Sequence, residues 1–224
     1  MTRRSIAVLL VGVFMSTSLP AFAQEPPDLF SSPTTATALR EGVLATALAE
    51  VAGSRVLEGR FTQRRTMRGL PRPLESRGVF LLVRDRGLQW HTLEPVDDEF
   101  VLTRRGISKS PAATGSRGGS DPRRRGPPLG PATELLFALF SLDLETLERR
   151  FDLYGVGTAE AWQVGMRSRD KATARAVRQA VVQGGQRVDS ITLVNGSGDE
   201  LSIGFHDVSV RTEELSDEQR ALFQ

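Results

Sequence analysis

The sequence contains no cysteine among its 224 residues. That excludes disulfides, iron–sulfur clusters, thiolate zinc sites and a cysteine nucleophile. Histidine is nearly as scarce. His91 and His206 are the only two, too few and too far apart for a zinc motif, and a lone histidine is ordinarily a packed or surface residue. There is no H-E-x-x-H, no G-x-S-x-G and no P-loop. Gly184-Gly185 and Gly196-x-Gly198 lie between strand-like segments and open no helix, so they read as turns rather than phosphate cradles. Asp97-Asp98-Glu99 offers carboxylates for acid–base work, but such a turn is ordinarily solvated and no partner residue accompanies it. No nucleophile, base or metal constellation supports an enzyme, and no cofactor is implied.

An excess of one charge is also missing. The basic residues number 29 against 27 acidic ones, and all but Lys109 and Lys171 are arginine, spread along the chain. Residues 1–23 hold Arg3 and Arg4 and no acid, so subtracting those two leaves 27 against 27. Affinity for a polyanion needs basic residues concentrated on one surface, so nucleic acid is not an expected partner.

Only the N-terminus carries a long apolar run. Arg3-Arg4, the run Ile6 to Met15 and Ala21-Phe22-Ala23 make the three-part pattern of a secretory signal peptide, with cleavage expected between Ala23 and Gln24. Read instead as a membrane anchor, Ile6 to Leu19 is interrupted by Gly12 and Ser16-Thr17-Ser18. It falls short of the ~20 residues that span a bilayer. With no cysteine after the site, the protein is not itself a lipoprotein. The expectation is a signal peptide over 1–23 and a soluble, monomeric, exported domain over 24–224, in a periplasm.

Residues 24–35 are rich in Pro and Ser and read as a flexible leader. From Ala38 to Val51 the residues Leu39, Val43, Leu44, Ala47, Leu48 and Val51 recur at helical spacing, with Thr35 or Thr37 to cap the start and Gly53 to end it. Short segments rich in Val, Phe, Thr, Leu and Trp follow at Val56–Thr66, Ser76–Arg84, Leu88–Leu93 and Glu99–Thr103. A second set comprises Phe151–Val156, Ala161–Arg167, Val177–Gln183, Val188–Asn195 and Leu201–Val210. Turn residues separate them and no β-α-β rhythm occurs, which predicts eight to ten antiparallel strands in a barrel or strongly curved sheet.

Two stretches interrupt the strands. Residues 104–131 have almost no apolar side chains and include Arg123-Arg124-Arg125, so they read as a mobile, solvated loop, with anionic lipid or nucleic acid as the sharper alternative. In residues 132–150, Leu135, Leu136, Leu139 and Phe140 make one apolar helical side, and Leu142, Leu144 and Leu147 extend it in a second short helix. A smaller amphipathic stretch runs from Asp170 to Arg178. In Gly78-Val79-Phe80-Leu81-Leu82-Val83 both alternating positions are apolar, so one side can meet a helix and the other an interior space. On pattern alone, a filled sandwich or barrel core accounts for this strand more simply.

Phe61-Thr62-Gln63, Gly78-Val79-Phe80, Val83-Arg84, Leu88-Gln89-Trp90-His91 and Pro95 together resemble the LolA family, periplasmic carriers that take lipoproteins from the inner to the outer membrane. The landmarks are an F-x-Q strand, a Gly opening the next strand, an Arg ending it and a W-x(4)-P beyond. The resemblance runs without a gap from Phe61 to Pro95. From Phe151 to Val210 the chain is similar to more divergent LolA-like proteins, in Trp162-Gln163-Val164 and in Gly198-Asp199-Glu200 leading into Leu201-Ser202-Ile203.

The resemblance implies an α+β, mainly β fold: an unclosed antiparallel β-barrel or strongly curved sheet with a helical lid around a hydrophobic cavity. It implies a pocket wall of Phe61, Phe80, Leu82, Leu88 and Trp90, and a lid helix with Leu135, Leu136, Leu139 and Phe140. Arg84 would be the latch that bonds lid carbonyls. The implied partners are an acylated lipoprotein or other lipid cargo, an inner-membrane exporter (of ABC type or another lipid exporter) and an outer-membrane acceptor. Two departures matter. Family members commonly have Pro after that Arg, where this chain has Asp85, placed to pair with Arg84; and the strand pair after W-x(4)-P is replaced by the 104–131 loop. The alternatives are a LolA-like carrier of a glycolipid or polyketide-type lipid, and an envelope adaptor that carries nothing.

Overall fold

The computed structural model describes residues 28–53, 56–84, 86–103, 106–109, 138, 143–211 and 215–223. Among them, ten strands form one sheet: β1 (Val56–Thr66), β2 (Leu74–Val83), β3 (Gly87–Glu94), β4 (Asp98–Thr103), β5 (Gly106–Lys109), β6 (Phe151–Gly157), β7 (Trp162–Ser168), β8 (Gln179–Gly184), β9 (Val188–Val194) and β10 (Glu200–Arg211). Their order is β5-β4-β3-β2-β1-β10-β9-β8-β7-β6, and every pairing is antiparallel. Two meanders are thus joined where the first strand meets the last, and β5 and β6 are left as the two edges. The sheet is not closed into a barrel.

The helices are short. α1 (Ala36–Glu41) begins at Thr35, whose hydroxyl accepts from the Ala38 N–H at 3.1 Å. α2 spans Ala45–Gly53. The single helix expected over Ala38–Val51 is therefore two. The break falls at Gly42, whose N–H closes the last turn on the Ala38 carbonyl at 3.0 Å. α3 (Leu144–Glu148) starts at Asp143 and α4 (Lys171–Ala176) at Asp170, both carboxylates accepting backbone N–H bonds. α5 (Asp217–Leu222) opens with a capping box of Ser216 and Gln219.

Three apolar layers follow from strand alternation. On the inner face of β6–β9, the residues Phe151, Leu153, Trp162, Val164, Met166, Val182 and Ile191 pack against Ala36 and Leu39 of α1, Leu44 in the turn that follows, Ala47 of α2, and Leu144 and Leu147 of α3. The inner face of the first meander forms a separate cluster. On the outer face, Val56, Leu81 and Val83 pack beneath Leu215 and Phe223 at either end of α5. The doubly apolar strand is explained by this arrangement: Leu81 and Val83 meet the C-terminal segment, while Phe80 and Leu82 point inward.

Two expectations are corrected. Residues 106–109, inside the stretch read as a loop, form β5, with Leu102 opposite Ile107. The end of the stretch read as a flexible leader is seated on the sheet. The Thr34 N–H donates to the Leu153 carbonyl at 2.7 Å, and Phe30 stands edge-on to Tyr154 with centroids 5.1 Å apart. The Arg167 guanidinium lies 4.4 Å from the Phe30 ring centre. Phe30 and the Arg167 cation supply the contact area that the composition of the leader concealed.

Candidate functional site

The second apolar cluster holds Phe61, Phe80, Leu88, Trp90, Leu102 and Ile203, rimmed by the partly buried Leu57, Leu82, Phe100, Phe205 and Val208. Register assembles it in rows. Gly59, Phe80, Trp90 and Phe100 are successive cross-strand partners over β1 to β4. Leu57, Leu82, Leu88 and Leu102 make a second row beside them. All five residues expected on the pocket wall (Phe61, Phe80, Leu82, Leu88 and Trp90) are brought together here.

The rings fill the spaces that two glycines leave. Phe61 lies opposite Gly78, and a methyl group at Gly78 would sit 2.8 Å from the Phe61 ring and collide with the His91 carbonyl oxygen. Phe80 lies opposite Gly59 in the same way, 3.0 Å from a methyl there. The Gly that opens the second landmark strand is thus required by the Phe of the first. Phe61 stacks on Trp90 with centroids 3.8 Å apart. Phe80 and Trp90 are each near-perpendicular to Phe205, at 5.4 and 6.5 Å, arrangements that suit the ring quadrupoles. Sequence reasoning missed Phe205 and Phe100. Alternation within their strands was the signal for both.

Among the described residues, cover is unequal between the two halves. The inner face of β6–β9 lies under α1, α2 and α3. The aromatic cluster, among the described residues, is built from strands alone. Leu201 and Phe205 of β10 touch both clusters and mark the boundary. Leu135, Leu136, Leu139 and Phe140, expected on the lid, lie outside the described residues. Ala138, between them, is buried in the helix-covered core, and its carbonyl accepts from the Asp143 N–H at 2.9 Å. Arg84 is exposed at the turn after β2, where the Arg86 N–H donates to the Val83 carbonyl at 3.1 Å. Asp85 lies outside the described residues.

A polar groove of 670 Å³ crosses β9, β10, β1, β2 and β3, with Thr62, Arg64, Glu75, Arg77, Glu94, Thr192 and Ser202 on its lining. Glu94 pairs with Arg77 at 2.5 Å and raises the guanidinium pKa. Thr62 and Arg64 alternate with Phe61 along β1, so this groove lies on the face opposite the aromatic cluster and is not an acyl pocket. Among the described residues no three His, Asp or Glu side chains converge to hold a metal ion. No helix among them is long and apolar enough to cross a membrane.

No family model matches the chain, and no curated protein sequence matches it. Several solved structures are similar to it. One is a LolA superfamily protein from Nitrosomonas europaea, 11% identical, covering 85% of this chain and 98% of that one with a TM-score of 0.46. Another is the MucA/MucB complex of Pseudomonas aeruginosa, 17% identical over 78% of this chain and 58% of that one, TM-score 0.44. A third is a putative outer membrane lipoprotein-sorting protein domain from Vibrio parahaemolyticus, 8% identical over 83% and 99%, TM-score 0.33.

Proposed function

We propose that this chain is a periplasmic carrier that shelters the acyl chains of a lipoprotein while they pass from the inner to the outer membrane. One observation carries the reading: an aromatic and aliphatic inner face over β1–β4 and β10, with Leu57, Leu82, Phe100, Phe205 and Val208 only partly buried at its rim. Exposing an acyl chain to water costs ~0.8 kcal/mol per methylene, so a carrier needs an apolar surface of this kind. Release needs a competing closed state, whose stability lowers the apparent affinity by the closure free energy. Phe61, Phe80, Leu82, Leu88 and Trp90 are the proposed floor. The segment of Leu135, Leu136, Leu139 and Phe140 is the proposed lid, and Arg84 the proposed latch. Arginine suits that task because it is always charged and presents several donors in a fixed fork.

The test is uptake of a fluorescent fatty-acyl probe by the purified chain without metal or nucleotide, together with mass spectrometry of lipid that co-purifies. Saturable uptake competed by fatty acid supports carriage, and the extracted lipid separates a lipoprotein carrier from a carrier of glycolipid or polyketide-type lipid. The 3.8 Å stacking of Phe61 on Trp90 favours one second reading, since rings this close occupy part of the space themselves. In that reading the face binds an envelope protein and no acyl chain, and folded protein takes up no probe.

A further inference from the structure

Leu70, in the turn between β1 and β2, and Leu74, the first residue of β2, are 43% and 53% exposed at one end of the same hairpin. Single exposed leucines are ordinary; here two stand near each other at one hairpin end with basic neighbours. Residues 66–74 contain Arg68 and Arg72 and no acid, Arg64 and Arg65 precede them, and Glu75, cross-strand from Arg64, is the acid that follows. Arg64 and Arg72 are exposed. Among the described residues no ion pair engages either guanidinium. Asp199, on the turn between β9 and β10, is the acid that faces Arg65 and Arg68. Its carboxylate accepts the Arg68 backbone N–H at 3.0 Å and ties the root of the hairpin to the sheet.

The tip is also suited to leaving water. Pro71 and Pro73 have no N–H to desolvate, and Gly69 makes the turn with φ +89. The neighbouring turn between β3 and β4 exposes Val96 but carries Asp97 and Asp98, which limits the basic surface to the first hairpin. Apolar side chains between cations are the pattern by which a segment lies in a bilayer interface, the cations meeting lipid phosphates.

We propose that the β1–β2 hairpin tip docks this chain on an anionic bilayer, with Leu70 and Leu74 entering the acyl boundary and Arg64 and Arg72 facing the headgroup phosphates. Phe61 lies five residues before the end of β1, so docking brings the aromatic face within about 17 Å of the bilayer at ~3.4 Å per strand residue. The site is separate from the acyl floor, and the two proposals stand or fall independently.

The experiment is co-sedimentation of the purified chain with vesicles of phosphatidylethanolamine and phosphatidylglycerol, and with vesicles of phosphatidylcholine alone. Binding is expected to the first, weaker to the second and weakened by salt. The double variant Leu70→Ser with Leu74→Ser should partition about tenfold more weakly, with circular dichroism and acyl-probe uptake unchanged. Arg72→Glu should weaken binding by about fivefold or more, from the loss of one interfacial cation. Wild-type protein that stays in the supernatant overturns the proposal. So does a double variant that sediments like wild type, the result expected if the tip serves a protein partner. Loss of probe uptake together with vesicle binding assigns the leucines to the acyl site and also overturns it. Vesicle binding by a wild-type chain that takes up no probe sustains docking while ending the carrier reading.

Discussion

Phe61 and Trp90 stack across the strand that separates them, ring centroids 3.8 Å apart and planes 25° from parallel. Phe61 is on β1 and Trp90 on β3, and Gly78 of the intervening β2 leaves the room in which they meet. Both rings are buried, at 1% and 5% exposure, so their contact is part of the fold as well as of the proposed floor.

Phe61→Ala and Trp90→Ala are each expected to destabilise by ~3–5 kcal/mol, the range for truncating a buried aromatic residue. Urea denaturation of both variants and of the double variant measures this. The stacking makes the two effects non-additive, with a coupling of ~0.5–1.5 kcal/mol. Simple addition would mean that the rings only share a neighbourhood.

Gly78→Ala is expected to destabilise by ~1–3 kcal/mol or more, because the added methyl group meets the His91 carbonyl and the Phe61 ring at once. Combining it with Phe61→Ala should recover part of the loss by removing one of the two obstacles. Thermal denaturation of the single and double variants reads the difference.

Arg84→Leu should leave the circular dichroism spectrum and probe uptake intact while slowing transfer of bound acyl probe to acceptor vesicles by roughly tenfold. That factor is ~1.4 kcal/mol, within reach of one charge-assisted hydrogen bond lost from the closed state. Transfer at the wild-type rate would remove Arg84 from the latch role.

Asp170 caps α4, its carboxylate accepting the Thr173 hydroxyl at 2.7 Å and the Thr173 and Ala172 N–H groups at 2.8 and 2.9 Å. The hydroxyl contact first, then the backbone donors, hold its pKa below the usual 3.8. A lowered native pKa means that the unfolded chain binds more protons as pH falls below that value. The stability contributed is therefore fully present above pH 3.8 and is lost as pH drops through the native pKa. Asp170→Asn keeps a capping oxygen without the charge, so its melting temperature should fall less steeply than wild type below about pH 4. Parallel slopes would deny the carboxylate this role.

Much of the fold was legible residue by residue. Val56–Thr66 was read with the bounds that β1 has, because alternation and β-branched residues are local properties. Asp170 and Thr35 mark helix starts, and Gly184-Gly185 and Gly196-x-Gly198 mark turns, through their own backbone chemistry. The Ser216 and Gln219 capping box that opens α5 is equally local, whereas the packing of Leu215 and Phe223 on Val56, Leu81 and Val83 depends on distant parts of the chain. Thr34 and Phe30 escaped for a different reason: a Pro- and Ser-rich segment becomes ordered only where another strand offers an edge and a cation.

Most strands, their turns and the apolar side of each strand are written locally in the chain, since these depend on periods of two residues and on neighbours a few positions away. The sequence by itself also determined the absence of thiol chemistry. The pairing of β1 with β10, with Phe61 opposite Phe205 across 144 positions, arises only when the whole chain is folded. The tertiary structure likewise decided that, among the described residues, helices pack on the half of the inner face formed by β6–β9, while Phe80, Trp90 and Phe100 line the other half. Pairing between such distant strands is selected by the burial and hydrogen bonding of the whole sheet, which no local pattern encodes.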